Sequence, residues 1–299
     1  MSQINEQVLP PRINLPSLEK NVLELRALKD FFLTGLVWGL AILASIPLIS
    51  VIYMLIMEGG ARLDFEAITA LPPAGFETGG GFGNAIVGTL TMVGIASALS
   101  IPIGTMAALY LAILNPNSKT ATVSRFLAKV LTGFPSILAG VFVYAVIVIT
   151  TGTYSAWAGG VALAVLMLPT VTLAAEEAMK QVPQRMKDAA FGMGCTRTQV
   201  IFKVVLPTAL PGIVTGVILA VAGAAGESAP LLFTALFSNY YMSELAEPTA
   251  SLSILIYNFS GMPFENQIEL AWTASLALVL LVLFFNIIAR IVGRSKFRE

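Results

Sequence analysis

The chain has 299 residues, of which 57% are hydrophobic and 11% charged, and its basic and acidic groups balance to zero net charge. Soluble domains carry about 25% charged residues, so the composition points to lipid, and the neutral balance leaves no electrostatic footprint for nucleic acid. Histidine is absent and Cys195 is the single cysteine, which excludes Ser-His-Asp chemistry, His-metal sites and an intrachain disulfide. The charge-free runs then give the membrane spans in chain order, each needing about 20 apolar residues. Residues 31–57 form the first run; it follows a polar stretch of about thirty residues and is too long for a cleaved leader. Residues 79–83 read as a flexible Gly-rich loop, and 84–113 as the second span, with Pro102 expected to kink it. Residues 130–175 hold 46 uncharged positions, about 69 Å as one helix, roughly twice a bilayer core. That run must fold back at 151–155, giving spans three (130–149) and four (156–174). Span five covers 208–237 and contains Glu227; span six covers 270–289.

Six helices satisfy their own backbone in lipid, so the expected class is an all-α membrane protein with six transmembrane helices. With six spans, 16 of the 17 basic residues fall on the side of the termini, and only Arg62 lies opposite. That side is expected to be cytosolic. The layout is a cytosolic N-terminal arm (1–30), a first transmembrane helix and extracytoplasmic loop (31–83), a transmembrane domain (84–292) and a cytosolic tail (293–299).

The cytosolic loop at 176–207 is long and helix-patterned. Pro183 suits a first helical turn, and residues 184–191 read as a short helix. Gly192 and Gly194 end it. Thr196 and Gln199 have capping-box spacing for a second helix reaching Val205, and Pro207 opens the next span. A solvated connector would need no more than this. The detailed pattern is more specific: Asp188-Ala189-Ala190, three residues, Gly194, nine residues, then Val204-Val205-Leu206-Pro207. It resembles the EAA loop of binding-protein-dependent ABC importers, with Asp for Glu and Val for Ile.

The resemblance extends from about residue 80 to 291. The runs 182–185 and 206–213, the run Gly226-Glu227-Ser228-Ala229-Pro230-Leu231-Leu232-Phe233-Thr234-Ala235, residues 84–89, and Phe134-Pro135-Ser136-Ile137 are similar to phosphate importer permeases of the PstA type. Members of that family usually carry an Arg four residues before the Glu, where this chain has Gly223.

The resemblance implies a type I ABC importer permease (MetI-like) fold and no enzymatic activity in the chain itself. Asp188, Ala189, Ala190, Gly194, Leu206 and Pro207 would couple to an ATPase, the two alanines allowing close approach to it. Glu227, Ser228, Pro135 and Ser136 would belong to the translocation pathway. The implied partners are a second, PstC-like permease, a dimeric PstB-like ABC ATPase and an extracytoplasmic PstS-like phosphate-binding protein. No cofactor is expected on this chain; ATP and Mg belong to the ATPase, since a phosphate-cradling loop needs a Gly-Lys pair and none occurs here.

A carboxylate at membrane depth costs about 2.5–3.5 kcal/mol. Glu227 is therefore either a translocation residue or a structural group bonded to a neighbouring helix or across a dimer. The alternatives for the whole chain are a permease for another oxyanion and, from a different class, a secondary transporter or channel. Internal repeats or a filter motif would mark the latter, and neither is evident.

Overall fold

The computed structural model describes residues 25–292. Residues 1–24 of the expected N-terminal arm and the expected tail, 293–299, lie outside the described residues. All regular structure among the described residues is helical. The chain divides into two compact units, residues 1–53 and 54–299.

The first unit holds most of α1 (Leu25–Gly60), which runs through Pro47 and is apolar all round. Its side chains from Leu28 to Tyr53 are exposed, as expected of a helix whose every face meets lipid.

The second unit begins with the end of α1. The short α2 (Phe65–Thr69) follows, capped by Asp64, whose carboxylate accepts from the Ala67 N–H at 2.7 Å. The Gly-rich run, expected to be flexible, is instead pinned. Gly81 and Phe82 donate backbone bonds to Leu71 and Ala67, and the Phe82 side chain is fully buried. Gly79 and Gly80 have positive φ, which lets the chain make this turn.

Helix α3 (Gly83–Leu109) passes through Pro102 and continues as a π-helical turn, Tyr110–Leu114. Helix α4 (Lys119–Thr132) occupies what the sequence offers only as a basic loop, with Ser118 as its cap. The third span differs from expectation at its start. The chain bends by 105° between α4 and the segment Ser136–Thr151, so that span begins at Ser136 rather than at 130. The cause is local: Pro135 disfavours helical geometry at Phe134, and Gly133 caps α4. The segment comprises α5 (Ser136–Val143), a π-helical turn and α6 (Ile149–Thr151), and ends at Gly152 with φ +73°.

Helix α7 (Ala156–Lys180), capped by Ser155, is the most enclosed of the long helices. It packs against α3 and, beyond the loop helices α8 (Gln184–Gly192) and α9 (Arg197–Val200), against α10 (Leu206–Gly226). Small residues make that contact close: a Cβ on Gly216 would overlap the Ala174 side chain. Met92, Leu163, Met167, Val171, Leu231 and Ile254 fill the centre.

The fifth span is also corrected. It is broken after Gly226 and resumes as α11 (Ala229–Thr234). Helix α12 (Leu252–Ser260), unforeseen in the loop between the fifth and sixth spans, buries Leu252, Ile254, Leu255 and Phe259. It packs on α13 (Glu265–Val292), the sixth span. Among the described residues, five helices are long and apolar enough to cross a membrane, or six if α4 with Ser136–Thr151 counts as one bent span.

Candidate functional site

Two sites lie at the two ends of α10. The first is the loop at 176–207. Helix α8 closes on a Gly-dependent turn: the Gly194 N–H donates to Phe191 O at 2.9 Å and the Cys195 N–H to Ala190 O at 3.1 Å. These are the two bonds of a Schellman closure, and Gly194 has φ +82°. Nothing crowds the site of a Gly194 Cβ, so the backbone angle alone calls for glycine. The capping box forms: Thr196 N–H donates to Gln199 Oε1 at 2.9 Å, and Gln199 N–H to Thr196 Oγ1 at 3.3 Å.

The second loop helix is not separate from the fifth span. Through a π-helical turn at Ile201–Val205, α9 runs into α10 as one 30-residue helix, Arg197–Gly226. The widened register sits just before Pro207, which has no N–H to continue the ordinary ladder.

The proposed coupling residues therefore divide. Asp188, Ala189 and Gly194 are exposed, and Asp188 accepts from Gln184 Nε2 at 2.8 Å. Ala190, expected at the partner surface beside Ala189, is buried with Val182, Val200 and Val205. Its small size fits α8 onto its own protein. Leu206 and Pro207 are half-buried at the start of α10. The surface gains apolar groups that motif spacing does not reveal, with Met193 78% and Phe202 61% exposed. Their signal in the sequence is weak: large apolar residues in an otherwise charged loop.

Two arginines tie this loop to its neighbours. Arg197 donates to the carbonyls of Ile113 and Leu114 at 2.9 and 2.6 Å, capping the end of α3. Arg125 of α4 donates to Leu111 O at 2.6 Å and Pro116 O at 2.9 Å. Its Nε bonds the buried Glu176 carboxylate at 2.6 Å, which Lys180 also meets at 2.7 Å. Carbonyls left free at a helix end are satisfied by cations in this way.

The second site is a cleft of about 300 Å³. The α4–α5 corner supplies Leu131, Thr132, Phe134 and Ser136. Helix α7 supplies Leu166, Met167 and Thr170, and α10 supplies Leu219, Ala220, Gly223 and Glu227. Ser136 and Glu227, 91 positions apart in the sequence, thus share one cavity. Pro135, exposed at the corner, and Ser228, at the start of α11, do not line it. Glu227 is the residue at which the helix stops, with φ −74° and ψ 123°. The space above Gly223 is open, so a side chain there would enter the cleft. No Lys or Arg lines it; the polar groups are the carboxylate and the hydroxyls of Thr132, Ser136 and Thr170.

Residues 100–298 match the family described as binding-protein-dependent transport system inner membrane component. The phosphate transport system permease protein PstA of Yersinia pestis is 35% identical over 278 residues, 93% of this chain and 91% of that one. Its counterpart in Pasteurella multocida is 38% identical over 277 residues, covering 93% and 95%. Among solved structures, a bacterial alginate ABC transporter aligns with TM-score 0.62 at 16% identity over 92% of this chain and 99% of its own. An inward-facing MetNI methionine ABC transporter aligns with TM-score 0.59 at 21% identity over 73% and 96%. The structural likenesses carry the fold, that of the type I ABC importer permeases. With the family match and the relatives, they place the chain among the binding-protein-dependent inner membrane transport components, in the PstA group of permeases.

Proposed function

We propose that the chain is the permease subunit of an ATP-driven phosphate importer. The observation that carries the reading is the likeness to PstA permeases along nearly the whole of both chains. The loop at 176–207 supports it, since it presents an exposed helix on a Gly-dependent corner. Asp188, Ala189, Ala190, Gly194, Leu206 and Pro207 form a knob for an ATPase, with Ala190 acting inside the knob. A second permease chain, a dimeric ATPase carrying ATP and Mg, and an extracytoplasmic phosphate-binding protein complete the machine. The knob and both termini face the cytosol of a bacterial inner membrane.

The mechanism is rigid-body transmission between two states. Closure of the ATPase moves α8, and α8 is packed on the same unbroken helix that ends at Glu227. A 30-residue helix spans about 45 Å, so displacement at Arg197 is carried along it, through the π-helical turn at Ile201–Val205, to the cleft. The cleft is one half of the path. An ionised carboxylate repels phosphate, so Glu227 acts by positioning a cation or a polar group of the second permease chain, beside the hydroxyl of Ser136.

Uptake by the complete complex in vesicles, measured across a panel of oxyanions with the cognate binding protein, tests the reading. ATP-dependent phosphate uptake is expected. Uptake of a different oxyanion in its place would assign the cargo to that anion, and uptake without ATP would move the chain to the secondary transporters.

A further inference from the structure

The break at Glu227 has a local half and a distant half. The local half is Pro230, which lacks the N–H that Gly226 O would accept in a continuous helix. The Leu231 N–H, which would reach Glu227 O, turns to Ser228 O at 3.1 Å instead. Glu227 O is thereby released from the helix, and a released carbonyl away from water needs another donor.

That donor comes from α12. Ser253 Oγ lies 2.9 Å from Glu227 O and 3.0 Å from Ser251 Oγ. Ser251 Oγ accepts from the Ile254 N–H at 3.1 Å as the cap of α12. A hydroxyl has one proton to give. Ser251 therefore donates to Ser253, and Ser253 spends its own proton on Glu227 O. Both serines are buried, at 1% and 6% exposure, so water does not substitute freely for either. On the opposite side α5 closes on α11, where a Cβ on Gly140 would stand 2.6 Å from the Pro230 Cα.

We infer that Ser253 is a positioning residue of the translocation path, its hydroxyl holding the backbone of Glu227 in the broken conformation that keeps this residue on the cleft wall. The inference rests on the reading of Glu227 as a pathway residue. It adds a residue 26 positions away that touches neither the cleft nor the coupling loop. Without this bond the released carbonyl is unpaired, the backbone at 227 shifts toward a helical register, and the carboxylate leaves the cleft it shares with Ser136.

The test uses the whole complex, permeases, ATPase and binding protein, reconstituted in liposomes, with phosphate uptake and ATP hydrolysis both measured per assembled complex. Ser253→Ala is expected to lower uptake about fivefold, the scale of one lost hydrogen bond. Hydrolysis stimulated by the binding protein should stay within about twofold, so that phosphate moved per ATP falls. Ser253→Thr keeps the hydroxyl and should restore the ratio. Ser251→Ala removes the α12 cap but leaves the bond to Glu227 O, and should lower uptake and hydrolysis together. If Ser253→Ala fails to assemble, Ser253→Cys keeps the volume with a weak donor, and the same fall in ratio is expected of it. Unchanged uptake, a proportional loss of uptake and hydrolysis, or no rescue by Thr would overturn the inference. Absent phosphate uptake by the wild-type complex would overturn the phosphate reading instead, so the two failures are separable.

Discussion

The coupling knob and the break at Glu227 stand at the two ends of one helix, yet they are built from different kinds of information. At the knob, the corner itself is closed by bonds between near neighbours, Gly194 to Phe191, Cys195 to Ala190 and Thr196 to Gln199, and Arg197 then ties it to the carbonyls of Ile113 and Leu114. At the break, Pro230 acts locally, but the bonds and contacts that hold it come from far away: Ser253 to Glu227 O, Gly140 against Pro230, Ser136 in the same cleft. A docking surface has to keep its shape while the rest of the molecule moves, and local bonds suit that. A cleft proposed for transport has to change when helices move relative to one another, and walls contributed by four helices suit that.

Substitutions at the two ends should break the comparison in different ways. The largest effect is expected at Gly140→Ala, whose Cβ would meet Pro230 Cα at 2.6 Å and its carbonyl oxygen at 2.8 Å. Both are backbone atoms, so the cost is about 2–3 kcal/mol, read as a lower thermal midpoint and a lower yield of assembled complex. Gly223→Ala, with open space around it, is the matched control and should leave both unchanged. Next, Glu227→Gln should lower phosphate uptake about tenfold or more in vesicles while the complex assembles normally; wild-type uptake with normal assembly would sink the pathway role. At the knob, Gly194→Ala forces a Cβ into φ +82° and should cost about 1 kcal/mol locally. It is read as reduced co-purification of the ATPase with no loss of helix content. Gly194→Asn should do less harm, because Asn tolerates this angle.

The smallest effect concerns pH in the loop between the fifth and sixth spans. The backbone N–H groups of Ser243 and Glu244 hold the Glu247 carboxyl below its ordinary value of 4.5. A lowered carboxylate pKa contributes stability that is present above the ordinary value and is lost as pH falls through the folded one. Protection of the amides of residues 243 and 244, taken relative to their intrinsic exchange rates at each pH, should therefore fall only below about pH 4.5, and Glu247→Gln should remove that dependence.

Much of the architecture was legible because lipid imposes a simple rule: charges stay out and about 20 apolar residues cross. That rule located the second, fourth and sixth spans to within a few residues. It misled at residues 130–135, which are uncharged but lie in α4 and its corner, because charge counting does not see Phe134-Pro135 as a bend. It also passed over α12, whose nine residues are too few to signal a span. The Gly corner of the loop at 176–207 was legible because Gly194 and the Thr196–Gln199 pair act within one turn. The inward placement of Ala190 was not, since Ala189 and Ala190 differ only in which helix face the tertiary contacts cover.

The sequence by itself determined the membrane class, the fold-back at Gly152 and the knob with its Gly corner, because each depends on composition or on bonds between residues a few positions apart. The tertiary structure alone decided that Ser253 holds the carbonyl freed at Glu227, that Ser136 and Glu227 share a cleft, and that Arg125 and Arg197 hold the end of α3. Those arrangements depend on which carbonyls the helix ends leave free and which distant side chains can reach them. That is settled only when the helices pack.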